Sequence, residues 1–164
     1  VSYNELSNLL EIDKATVAKY IDLLEQAYLI FTLTSFSRNI RNEIKHNRKI
    51  YFYDNGIRNA LIQNLNSFDL RTDKGALWEN FLISERIKVQ SYHRRQAMNH
   101  FWRTVEKQEI DFVEERNGRV TAYEFKWNHR RKAKLPGSFL KTYDATGVVI
   151  DKSNFRSFVR LEPR

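Results

Sequence analysis

Leu6, Leu9 and Leu10 fall on one helical stripe, and Ser2 with Glu5 makes a capping box before it, so residues 2–12 predict a short helix. Asp13 is placed to cap a second helix over about 14–26, with Val17, Ile21, Leu24 and then Tyr28 on one face. An extended run, "YLIFTLTSF", follows. The order fits a helix-turn-helix with a strand or wing behind it, and equally an ordinary helical pair. "KIYFYD", 49–54, alternates and predicts a strand, after which Asn55-Gly56 predicts a turn. Residues 57–65 read as helical, and 66–74 is the best candidate for a boundary.

Beyond that boundary, "GALWENFLISERIKVQ", 75–90, predicts a helix with Leu77, Phe81 and Ile87 among its apolar positions. "NHFWRT", 99–104, predicts a strand. "EIDFVEERNGRVTAYEFKW", 109–127, predicts two more strands turned at Asn117-Gly118. A basic run, "NHRRKAKL", ends at Pro136-Gly137. Residues 138–145 predict a helix, "GVVIDK" a buried strand, and 155–161 a last strand. This order implies an α/β (α+β) fold with a mixed sheet flanked by helices. The expected division is 1–70, a winged-helix-like segment and linker, and 71–164, the mixed α/β domain.

Charge sharpens the division. Residues 1–70 hold eight basic and eight acidic residues, whereas 71–164 hold 20 basic and 12 acidic, so the net +8 lies entirely in the second part. An excess of that sign suits an anionic partner such as DNA, or serves only solubility. Residues 1–30 carry Lys14 and Lys19 against Glu5, Glu11, Asp13, Asp22 and Glu25, the wrong sign for a helix entering a DNA groove. Packing against another part of the protein suits that helix better. The segment 38–58 is basic, with Arg38, Arg41, Lys45, Arg48, Lys49 and Arg58, and reads as a basic wing or a solvated loop. The chain has no cysteine, which excludes disulfides and thiolate metal sites and is compatible with a cytoplasmic location. No apolar run reaches the ~20 residues needed to span a bilayer.

The charges inside the 109–127 hairpin are the candidate chemistry. Alternation puts Glu124 and Lys126 on one face of their strand, with Tyr123, Phe125 and Trp127 on the other. Asp111 shares a face with Glu109 and Val113 on the neighbouring strand, and a turn near 116–119 brings it towards Glu124 and Lys126. Two carboxylates in close approach repel, and a divalent cation relieves the repulsion. A lysine beside them would orient a water or stabilise a pentacovalent phosphate. The alternative is an exposed ion pair, worth about 0–1 kcal/mol. Trp102 with Arg103, and Trp127 with Arg130 and Arg131, put rings beside cations, which suits either a nucleic-acid strand or a core. His46, His93, His100 and His129 have no metal-type spacing.

"GALWENFLISE", "FWRT", "EIDFV" and "AYEFKW", in this order, resemble the C-terminal domain of unknown function of a large family of bacterial and archaeal AAA-type ATPases. "YNELSNLLEIDKATVAKYIDLLEQAYLIFTL" and "RKIYFYDNGIRNAL" resemble the same family's winged helix and linker. The resemblance implies a PD-(D/E)XK nuclease-like fold. The helix acid falls on Glu79, the strand aspartate on Asp111, and the E-x-K pair on Glu124 and Lys126. In active members of that superfamily the acids hold Mg²⁺ and the lysine assists the nucleophile. An acid in a first helical turn also simply favours the helix dipole. Glu85, six residues beyond Glu79, points to another helix face. The parent ATPase would need G-x-x-x-x-G-K-[ST], and the five glycines here are isolated, so this chain is expected to have no ATP site and to be a C-terminal fragment of a longer ATPase.

Two functions follow as expectations. In the first, Glu79, Asp111 and Glu124 hold Mg²⁺, Lys126 assists the water, and Arg103, Arg130, Arg131, Lys132 and Lys134 hold a nucleic-acid backbone. In the second, the same fold is catalytically inactive and docks the ATPase module of the parent protein to a protein or nucleic-acid partner.

Overall fold

The computed structural model describes residues 2–37, 48–128 and 134–160. Arg38, Arg41, Lys45 and His46 of the basic segment lie outside these, as do His129, Arg130, Arg131 and Lys132. Helix α1 (Tyr3–Leu10) begins at the predicted capping box, with both reciprocal bonds between Ser2 and Glu5 formed. Helix α2 (Lys14–Gln26) begins at Asp13, whose carboxylate accepts from the Thr16 N–H at 2.9 Å. Strands β1 (Ile30–Ser35) and β2 (Arg48–Phe52) form an antiparallel hairpin. After α3 (Asn55–Leu61) and a short 3-10 turn comes the long helix α4 (Lys74–Tyr92). Then follow β3 (Met98–Arg103), β4 (Glu109–Arg116), β5 (Arg119–Phe125), α5 (Gly137–Thr142), β6 (Thr146–Ile150) and α6 (Phe155–Val159).

All these strands belong to one mixed sheet of six, in the order β2-β1-β3-β4-β5-β6. The β1–β3 and β5–β6 pairs are parallel and the others antiparallel. The hairpin behind α2 therefore extends the same sheet that holds the 109–127 hairpin. On one face, Phe31, Leu33, Tyr51, Phe101, Phe112, Phe125 and Ile150 pack against Trp78, Leu82 and Ile83 of α4 and Phe158 of α6. The other face is covered in two patches. Val17 and Ile21 of α2 pack on Ile30, and Phe139 of α5 packs on Trp102, Ile110, Val113 and Ala122. Trp102 is thus core, not a free stacking ring. Among the described residues no helix is long and apolar enough to cross a membrane.

Two local expectations are corrected. Asn55 and Gly56 begin α3 instead of forming a turn, because the Asp54 carboxylate accepts from the Gly56 and Ile57 N–H groups and caps the helix. The expected strand at 155–161 is helix α6 over its described part. Phe155, Phe158 and Val159 are spaced for one helical face and all enter the core beneath α4. The Asn117-Gly118 turn forms as expected, both residues with positive φ (50° and 74°), the conformation that suits a tight antiparallel hairpin.

Side chains also close off the outer strands. Asn80 of α4 accepts from the Phe52 N–H at 2.8 Å and donates to its carbonyl at 2.9 Å. Asn154 donates to the Val149 carbonyl of β6 at 2.8 Å. Beneath α4, Arg86 binds both carboxylate oxygens of Glu114 at 2.8 and 3.1 Å and donates to the Phe158 carbonyl at 2.9 Å. Both charged side chains are 9% exposed, so removing one partner strands the other in the core. Arg86→Met is expected to lower stability by about 3–5 kcal/mol in urea denaturation; a loss below 1 kcal/mol would show that the pair does not organise this core.

Candidate active site

The β4–β5 ladder runs from Arg116↔Arg119 to Phe112↔Tyr123 and ends there. The next pair in register would set Asp111 opposite Glu124, and at that point the strands part. The Phe125 N–H, which an unbroken ladder would direct elsewhere, donates to the Asp111 carboxylate at 2.8 Å. On the other flank of β4, the pairing with β3 shifts register between His100 and Trp102, leaving Asp111 and Phe112 opposite Phe101 alone. This is a β-bulge, which places two residues against one and re-aims the strand.

The bulge corrects one expected face. Glu109 and Asp111 do share a side, but Val113 lies with Ile110 in the core under α5. Phe112 instead enters the core under α4. On β5 the alternation holds: Tyr123, Phe125 and Trp127 pack towards α4. Glu124 and Lys126 take the other side of the strand and pair at 2.6 Å. Trp127 is held by Phe68 and Trp78, with ring centroids at 4.5 and 5.3 Å, and Lys152 lies 3.6 Å above its ring.

Glu79 comes from α4, but not from its first turn, which holds no acid. The helix-dipole reading therefore does not account for its position. Its Oε1 accepts from the Tyr51 hydroxyl at 2.6 Å and from Lys49 Nζ at 3.1 Å. The same ammonium reaches Glu109 at 2.5 Å. Lys49 and Tyr51 are two residues of β2 that sequence reasoning did not assign to the site. The signal lay in the alternation of "KIYFYD", which puts a lysine on the face of Tyr51, the face that enters the core. Arg103 stands 3.9 Å from Glu109 at the rim of this cluster, while Lys134 is exposed and Glu85 pairs with Lys88 along α4.

The electrostatics centre on Asp111. Burial, then Glu79, then Glu124 push its carboxyl up to about 7, against the lowering effect of the Phe125 N–H and Lys49. Burial opposes charge on Lys49, but Glu79, Glu109 and Asp111 outweigh it and raise the ammonium above its usual range. Burial and then Glu79 raise the Tyr51 hydroxyl well above the ordinary phenol value, so it stays a proton donor. Among the described residues no three His, Asp or Glu side chains are gathered around one point ready for an ion. Glu79 is drawn towards β2, Glu124 towards Lys126, and Asp111 sits between them.

Residues 74–160 match the family model described as "Domain of unknown function (DUF4143)". Residues 1–68 match a second, "Domain of unknown function (DUF8612)". The chain is similar to the uncharacterized proteins Mb2031c of Mycobacterium bovis and Rv2008c of Mycobacterium tuberculosis. It is 27% identical to each over 124 residues, which is 74% of this chain and 27% of each relative. The chain thus spans about a quarter of the length of these curated relatives. No solved structure matches.

The folded chain holds the Asp111 proton to about pH 7, whereas an unfolded aspartate releases it near 3.9. Native protein therefore binds more protons than unfolded protein between those values, and stability falls as pH rises through them. Asp111→Asn removes the charge and keeps an oxygen for the Phe125 N–H. In chelator-treated protein, its melting temperature is expected to exceed the wild type's by clearly more at pH 8 than at pH 5. An equal difference at both pH values would refute the assignment.

Proposed function

The chain belongs to the family of the domain of unknown function DUF4143, and on that premise we propose that it is a PD-(D/E)XK nuclease-like, DNA-binding module of a AAA-type ATPase that hydrolyses phosphodiesters with a divalent metal. The observation that carries the reading is Asp111 in the gap between β4 and β5, acted on by Glu79 and Glu124 together, with Lys126 beside Glu124.

The donor set suits Mg²⁺. It is made of hard carboxylate oxygens whose mutual repulsion a divalent cation would relieve, and Mg²⁺ takes one or two carboxylates with waters and phosphate in place of a closed protein cage. Asp111 and Glu124 would hold it, with Glu79 completing the set from α4. Mg²⁺ there would make water a better nucleophile and offset the phosphate's developing charge. The protein's own groups do the rest. Lys126 donates to Glu124 in the resting site and, as a cation, would orient the water or stabilise the pentacovalent phosphate. The Phe125 N–H fixes one oxygen of Asp111, and so its orientation. Arg103 at the rim, with Arg130, Arg131, Lys132 and Lys134, would hold the nucleic-acid backbone, giving affinity without sequence preference.

A second reading has its own support. Leu9, Leu10, Tyr20, Leu23 and Tyr28 of the first two helices and their exit are exposed. Lys49 and Lys126 already neutralise carboxylates of the site. Both observations favour an inactive module that docks the parent protein's ATPase unit to a partner.

The two readings separate in one assay. With plasmid or branched DNA and Mg²⁺ or Mn²⁺, the wild-type chain is expected to cut. Asp111→Ala and Lys126→Ala are expected to cut at least about 100-fold more slowly, the usual scale for losing one such group. Absence of cutting, or equal cutting by the variants, leaves the docking reading in place.

A further inference from the structure

Each of the three carboxylates is held by one oxygen only. The Phe125 N–H binds Asp111 Oδ2, Lys126 binds Glu124 Oε1, and Tyr51 and Lys49 both bind Glu79 Oε1. The second oxygens, Asp111 Oδ1, Glu124 Oε2 and Glu79 Oε2, have no partner among the described residues. A carboxylate that binds a metal through one oxygen while a protein donor holds the other is the common arrangement of a supported ligand.

For Asp111 and Glu124 the support comes from β5 and its exit. For Glu79 it comes from far away in sequence. Tyr51 is 6% exposed, stacks on Phe31 at 5.7 Å between ring centroids, and is fixed in the core. Its hydroxyl has a single described acceptor, Glu79 Oε1, at 2.6 Å. Asn80, the next residue of α4, is locked to the backbone of Phe52, the next residue of β2. Adjacent residues of one element therefore grip adjacent residues of the other, and Glu79 has little freedom to turn.

We propose that Tyr51 is a positioning residue, which holds Glu79 Oε1 so that Oε2 faces a divalent cation shared with Asp111. Lys49 braces the same oxygen and ties it to Glu109. The inference rests on the metal reading above. It also assigns the site a part from each family segment: β2 lies within residues 1–68, whereas Glu79 lies within 74–160. A divalent cation bound at Glu79 then tightens the contact between β2 and α4, and anything that pulls β2 away from α4 weakens the cation.

Tyr51→Phe removes one hydroxyl and keeps the ring. Mn²⁺ affinity would be measured by calorimetry without DNA on four proteins: wild type, Tyr51→Phe, Glu79→Gln and the double variant. The variant Tyr51→Phe is expected to bind Mn²⁺ about ten- to hundred-fold more weakly. In the Glu79→Gln background it is expected to cost nothing further, since the hydroxyl acts through that carboxylate. A purely structural tyrosine would weaken binding equally in both backgrounds, and that result overturns the proposal, as does Tyr51→Phe binding Mn²⁺ like the wild type. Wild type that binds no Mn²⁺ refutes the metal reading itself and this inference with it. Wild type that binds while Glu79→Gln binds as well keeps a metal at Asp111 and removes Tyr51 from its support.

Discussion

The bond from the Phe125 N–H to the Asp111 carboxylate is the constraint around which the rest of the site is arranged. It stands where a backbone pair would have continued the β4–β5 ladder. A carboxylate there must be partly enclosed by its two strands, so it loses solvation. It must also lie between whatever the two faces of the sheet carry. One face carries α4 and with it Glu79, and the other side of β5 carries Glu124. The bulge at Asp111 and Phe112 makes the arrangement compatible with a core, because Phe112 still fills the space beneath α4 while Val113 turns to α5. Without that extra residue, Phe112 would share a face with Ile110, and Val113 would share one with Asp111.

The proton on Asp111, the cation on Lys49 and the phenol of Tyr51 are consequences of the same crowding. Each is the form that reduces negative charge near Glu79. The site therefore contains its own provisional neutralisation. A divalent ion would have to compete with that, and the protein would release a proton from Asp111 as it bound. The first segment of the chain takes part in this balance through β2, so the sheet that crosses the division between the two family models is an electrostatic unit as well as a structural one.

Much of the architecture was legible in the chain. The capping box at Ser2, the Asp13 cap, the Asn117-Gly118 hairpin and the alternation of Tyr123, Phe125 and Trp127 are local signals, and each formed. The errors were those of reading one period where another also fitted. Phe155, Phe158 and Val159 suit a strand by composition and a helix by spacing, and the space beneath α4 accepted the helix. Val113 was misplaced because a bulge depends on pairing with β3, and nothing within β4 announces it. Lys49 and Tyr51 were not assigned to the site because their meaning lies in a contact 28 to 30 residues away, with Glu79. Local pattern can show that a lysine faces inward, but only the packed sheet shows which acid it meets.

The two asparagines at the rims of the sheet have a consequence for assembly. Phe52 on β2 and Val149 on β6 are residues whose backbone groups point outward, where a strand of another molecule would dock. Asn80 occupies both groups of Phe52, and Asn154 occupies the carbonyl of Val149. The Asn80 amide imitates one residue of a seventh strand, whereas Asn154 covers a single carbonyl and turns its oxygen to the Asp151 N–H. Among the described residues, one position on each outer strand is thus already taken by a side-chain amide, which a strand adding at that point would have to displace.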